Sequence, residues 1–171
     1  MRSRAYLSLG SNLGDRAKNL DRAVRELSRC GSVAVRSAIY ETEPVQVIAQ
    51  PWFLNCAIGL DTELSPEELL SGALAIEKEM GRLRSQAKGA RVIDVDILLC
   101  GDLIVVTPAL TIPHAAMHER RFVLEPLAEI APEAMHPLLH KMVRQLLAEL
   151  PAGQIVRKIS GLEDAMRTGS D

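Results

Sequence analysis

Aromatic side chains are scarce: one Trp, two Tyr and two Phe in 171 residues. The core must therefore be aliphatic, and each ring is worth locating. Cysteine is sparse too. Cys30, Cys56 and Cys100 are odd in number and widely spaced, which excludes a disulfide framework and leaves no pair at zinc spacing. Reduced thiols in a cytoplasm are the expectation. No apolar run approaches the roughly 20 residues of a membrane helix. The opening MRSRAYLSLGSN lacks a long apolar core and a small-residue cleavage site, so neither membrane span nor secretory leader is expected. An excess of charge is also missing. The net charge of −2 makes no case for nucleic-acid binding. There is no internal repeat and no linker. What remains is 47% hydrophobic, enough for one domain with a real core. We place that domain at residues 1–158, with 159–171 as a frayed tail, and expect a monomer.

Against this background ARVIDVDILLCGD, residues 90–102, is unusual. Its apolar run reads as a strand, yet it contains Asp94 and Asp96. Strand side chains alternate faces. Ile93, Val95, Ile97 and Leu99 should share a core face, with the two aspartates on the other. Side chains two apart lie about 7 Å apart at their bases, and carboxylates that close repel unless a cation sits beside them. Hard oxygen ligands suit Mg²⁺ or Ca²⁺. A polar, solvated strand face is the plainer alternative.

Elsewhere AYLSLGS (5–11) reads as a strand, and Leu20, Val24 and Leu27 make a helix stripe ending near Gly31. SVAVRSAIY (32–40) and WFLNCAIGLDT (52–62) read as strands. Ser65, Pro66 and Glu68 open a helix with a capping box, its stripe being Leu69, Ala73, Ile76 and Met80. A short helix is expected within 110–133 and a last one over 141–150. The order β-α-β-β-α-β is the ferredoxin-like pattern. The expected fold is α+β: an antiparallel sheet with helices on its faces, the two helices of the core unit against one face and the other open to a ligand.

Four cations, Arg82, Arg84, Lys88 and Arg91, immediately precede the acid strand. Arginine forks grip phosphate oxygens, and Mg²⁺ on paired acids bridges them. The combination describes a nucleoside triphosphate site. A solvated basic loop pairing with Glu77 and Glu79 is the alternative. LGSNLGD (9–15) lies between strand and helix but is not a P-loop, lacking the Gly-Lys-Ser/Thr ending. A turn closing strand onto helix is the plainer reading, and phosphate binding between strand and helix is the alternative. Phe53 and Asn55 share a strand face and could read a planar heterocycle by stacking and by amide hydrogen bonds, although core packing also explains an aromatic there. His114/His118 and His136/His140 have i, i+4 spacing, but prolines 113 and 137 break both contexts for zinc. His114 and Arg120 fit better as phosphate donors.

Taken together, LSLGSNLGD, YETEPV, QPWFLNCAIGL, SPEELL, IEKEMGRLR, RVIDVDIL and IPHAAMHERRFVLEPL resemble the 6-hydroxymethyl-7,8-dihydropterin pyrophosphokinases of folate synthesis, from about residue 5 to 135. The resemblance implies an enzyme that moves pyrophosphate from ATP to the pterin hydroxymethyl group, leaving AMP. It implies two Mg²⁺ ions on Asp94 and Asp96, and triphosphate contacts from Arg82 and Arg91. Further ATP contacts would come from Arg84, His114 and Arg120, with Glu77, Ile97 and Thr111 around the adenosine. Phe53 and Phe122 would sandwich the pterin. Asn55, Asp94 and the backbone near Thr42 and Val45 would meet its edge. No residue need act as a nucleophile.

The loop departs from the family. The common Arg-Trp-Gly-Pro-Arg gives way to AKGAR (87–91), without Trp or Pro, and the stretch between Arg84 and Arg91 is one residue shorter. Ala115 stands where Tyr is frequent, and Glu43 where Pro is common. Weaker pterin binding or a changed rate-limiting step is expected. Two other functions use the same features: a Mg²⁺-dependent phosphohydrolase needing no pterin, and a nucleotide-binding module without turnover.

Overall fold

The computed structural model describes residues 2–43, 51–81 and 91–159. Its main sheet is antiparallel. The strands are β1 (Ser3–Ser11), β2 (Ser32–Arg36), β3 (Ile39–Thr42), β4 (Phe53–Thr62) and β5 (Asp94–Cys100). With the helices α1 (Arg16–Leu27) and α2 (Pro66–Glu79) the order is β-α-β-β-β-α-β, the β-α-β-β-α-β unit with its second strand divided into β2 and β3. A later strand, β10 (Val156–Ile159), closes the sheet in the order β10-β3-β4-β1-β5, with β2 also pairing to β4. Between them lie the hairpins β6 (Val105–Val106) with β7 (Thr111–Ile112), and β8 (Met135–His136) with β9 (Lys141–Met142). Two further helices, α3 (Arg121–Ile130) and α4 (Val143–Glu149), follow β7 and β9. No helix among the described residues is long and apolar enough to cross a membrane.

Local chemistry sets these boundaries. Asp15 caps α1, its side chain accepting from the Lys18 amide, and Ser28 closes it three residues before Gly31. Ser65 caps α2 with the full reciprocal box to Glu68. The stretch expected as one strand over 32–40 divides at Ser37 and Ala38. There the Ser37 hydroxyl accepts from the Ala57 amide (2.8 Å), and the chain steps from β2 to β3 along the same edge of β4.

The aliphatic core lies beneath α1 and α2. It takes Ala5, Leu7 and Leu9 from β1, Leu54, Cys56, Ile58 and Leu60 from β4, Val95 and Ile97 from β5, and Ile93 just before β5. The opposite face is not wholly open. At its far end Leu98, Leu99 and Ala57 pack against Val123, Leu124 and Leu127 of α3 and Val143 and Leu146 of α4. Strict alternation predicts Leu99 beside Ile97. Instead the register between β1 and β5 slips between Tyr6 and Leu7, and this bulge turns both Leu98 and Leu99 toward α3, as an extra residue in one strand must. The two helices thus cover one end of this face and leave a pocket at the other.

The sequence also understates the C-terminal part. Lys141 and Met142 belong to β9 rather than to the last helix. Ile159 is not tail: it is buried and pairs with Ile39. Residues 160–171 lie outside the described residues.

Candidate functional site

The pocket is a cavity of about 110 Å³ lined by Ser8, Gly10, Thr42, Phe53, Asn55, Asp94, Asp96, Arg120 and Phe122. Topology gathers these residues. β1 lies between β4 and β5 and is antiparallel to both, so Gly10 sits opposite Asn55 on one side and Asp94 on the other. β3 adds Thr42, paired with Phe53. Arg120 and Phe122 come from the start of α3, the Arg120 guanidinium carbon lying 5.6 Å from the Phe122 ring centre.

One wall is built to read polarity. Asn55 and Thr42 are buried, and the Asn55 amide donates to the Thr42 hydroxyl at 2.7 Å. Gly10 makes room for that amide. A Cβ there would come within 2.7 Å of Asn55 Oδ1 and 3.5 Å of Phe53 Cδ1. Gly10→Ala should therefore push Asn55 off its partner. Losing about 1–2 kcal/mol of alignment should weaken a ligand read by that amide roughly tenfold or more, which calorimetric titration checks.

The other wall is acidic. Asp94 and Asp96 open on the pocket as expected, and Arg91 donates to Asp94 at 3.3 Å. Burial, and then the charge of Asp94, push the Asp96 carboxyl up to about 7, with Arg120 and Arg91 opposing. His114 Nε2 lies 3.9 Å from Asp96. The His114 imidazole is held below its usual range by burial and by Arg120. A carboxylate pair in this state suits a hard cation. Among the described residues no group of three or more His, Cys, Asp or Glu that could hold a metal ion is present. Asp94 and Asp96 would be two oxygen ligands for such an ion, and Mg²⁺ commonly keeps several waters besides.

The other expected residues are placed differently. Glu77 is 2% exposed, and its carboxylate accepts from the Val95 amide at 2.8 Å, bracing the strand between the two aspartates. Glu79 pairs with Arg29 at 2.9 Å. Ile97 points its side chain into the core beneath α1 and α2. Thr111 is exposed on β7, and neither residue lines the pocket. His114 flanks the outer edge of β5 through its amide bond to the Leu98 carbonyl (3.0 Å). Val45, Arg82, Arg84, Lys88 and the altered stretch 87–90 lie outside the described residues. His118 and His136 meet edge to face at 6.1 Å, a pairing that crosses the expected i, i+4 pairs. Ser8 and Gly10 were absent from the expected set. Their signal was alternation along β1, where Tyr6, Ser8 and Gly10 face away from the core residues Leu7 and Leu9.

A family model described as 7,8-dihydro-6-hydroxymethylpterin-pyrophosphokinase (HPPK) matches residues 6–132. The chain belongs to the HPPK family. It is similar to the 2-amino-4-hydroxy-6-hydroxymethyldihydropteridine pyrophosphokinase of Methylorubrum extorquens, with 45% identity over 157 residues, covering 91% of this chain and 98% of the relative. It is 40% identical over 162 residues to the folic acid synthesis protein fol1 of Schizosaccharomyces pombe. That match covers 94% of this chain but only 22% of the relative, so this HPPK chain spans about a fifth of that longer protein. Among solved structures it resembles Plasmodium falciparum HPPK-DHPS, with a TM-score of 0.72 at 18% identity, covering 87% of this chain and 44% of that one. The last likeness supports the α+β, ferredoxin-like fold.

Proposed function

We propose that this HPPK chain transfers the terminal diphosphoryl group of ATP to 6-hydroxymethyl-7,8-dihydropterin. The hydroxymethyl oxygen bonds to the β-phosphorus and gives up its proton to solvent, the bond from that phosphorus to the α,β-bridging oxygen breaks, and AMP leaves. One observation carries the reading: a pair of carboxylates and a pair of aromatic rings, Asp94/Asp96 and Phe53/Phe122, line one pocket. Phosphate chemistry and a slot for a flat heterocycle are adjacent.

In this reading Asp94 and Asp96 hold two Mg²⁺ ions, which supply charge neutralisation to the phosphates. Arg91 and Arg82 grip the triphosphate, with Arg84, His114 and Arg120 as further ATP contacts. Thr111 flanks the adenosine. Glu77 serves as a brace for the acid strand, and Ile97 can contribute there only main-chain atoms. Phe53 and Phe122 stack on the pterin, while Asn55, Thr42 and the backbone near Val45 meet its edge. Phosphoryl-type transfer depends on positioning and electrostatics more than on covalent chemistry, and a rigid sheet supplies both. Three buried free cysteines fit a reducing cytoplasm. The reading takes small molecules as the partners and proposes a monomer that binds no nucleic acid.

Phe53→Ala should weaken pterin binding by about tenfold and leave ATP binding unchanged in parallel titrations. Equal loss for both ligands would refute the stacking role. Mass analysis of the pterin product should show a gain of two phosphoryl groups. An unmodified pterin would count against the reaction.

A further inference from the structure

The segment LGSNLGD does more than turn the chain. Asn12 follows the last residue of β1. Because β1 runs antiparallel to both neighbours, its end meets the beginnings of β4 and β5 together. Asn12 is 1% exposed and joins them. Its Oδ1 accepts from the Arg91 amide at 2.6 Å, its own amide donates to the Arg91 carbonyl at 3.0 Å, and its Nδ2 donates to the Pro51 carbonyl at 3.3 Å. The next carbonyl, that of Trp52, accepts from the buried Arg16 guanidinium at 2.7 Å, which also faces Glu41. Both strand entries are thus clamped: one carries Phe53, the other Arg91 and Asp94.

We infer that Asn12 is a positioning residue for pyrophosphoryl transfer, orienting Arg91 through its main chain and seating Phe53 through Pro51. The inference rests on the pyrophosphokinase reading and adds to it a residue that does not line the described pocket. The two functions of the side chain are chemically separable. Asn12→Asp keeps an oxygen for the Arg91 amide but presents no N–H to Pro51. Asn12→Ala loses both.

The test uses the full chain with ATP, Mg²⁺ and 6-hydroxymethyl-7,8-dihydropterin. Asn12→Ala should lower kcat on the order of 100-fold, the usual penalty for misplacing a catalytic group by an ångström. Adding it to Arg91→Ala should cost no more than about threefold further, because residues acting through one another are not additive. Asn12→Asp should keep kcat within about tenfold while raising the pterin KM. Fully additive losses in the double variant, or equal kcat losses for Ala and Asp, would overturn the assignment. Should the alanine variant not fold, amide exchange at Arg91 decides. Protection kept in Asn12→Asp supports the clamp, and protection lost overturns it. Failure of the wild-type chain to make AMP would sink the pyrophosphokinase reading instead, and the exchange result would still report on the clamp.

Discussion

Asp96→Asn should cut turnover on the order of 1000-fold and yet raise the melting temperature of the unliganded protein at neutral to alkaline pH. The two effects share a cause. Burial and the neighbouring Asp94 hold the Asp96 carboxyl up at about 7, whereas in an unfolded chain it ionises near about 4. Between those values the native state keeps a proton that the unfolded state has released. Stability therefore falls as pH rises through that window and stays lowered above it. The amide removes the repulsion and also the proposed metal ligand. Melting curves near about pH 8 should show Asp96→Asn above wild type, and the gap should close as pH falls below about 4, where both states are protonated. Mg²⁺ should raise the wild-type melting temperature and leave the variant's nearly unchanged, since a ligand stabilises only the state that binds it. A variant less stable than wild type near about pH 8 would contradict the picture of two carboxylates awaiting a cation.

Arg91→Ala should lower kcat roughly 100-fold while weakening ATP affinity less than about tenfold. Arg91 is mostly buried and bonded to Asp94, and it is held at its main chain by Asn12. A fixed guanidinium beside transferring phosphates contributes most where charge develops. Arg91→Lys should restore only part of the rate, because a point charge lacks the planar fork. Stopped-flow kinetics with separate ATP titration make the comparison. A change in ATP affinity that accounts for the whole loss would reduce Arg91 to an anchor.

Much of the site was legible in two-residue alternation. It put Asp94 and Asp96 on one face, and it paired Phe53 with Asn55, because both strands are regular where those residues sit. Capping chemistry placed α2 for the same local reason. Alternation failed at Leu99, where a bulge forced by the β1 register reverses the face, and no local pattern announces such a slip. β10 was illegible because a four-residue edge strand depends on its partner β3 rather than on its own composition. Glu77 carried a readable clue that was passed over. It falls one turn after Ala73 on the buried stripe of α2, and an acid on an apolar stripe needs a partner. Asn12 carried none, since its partners Pro51 and Arg91 lie far off in sequence.

The central claim is tested most directly by resolving adenine nucleotides after incubation with ATP, Mg²⁺ and 6-hydroxymethyl-7,8-dihydropterin. AMP should appear in step with pterin consumption and only when pterin is present. ADP, or ATP loss without pterin, would contradict pyrophosphoryl transfer and point to hydrolysis at the same carboxylates.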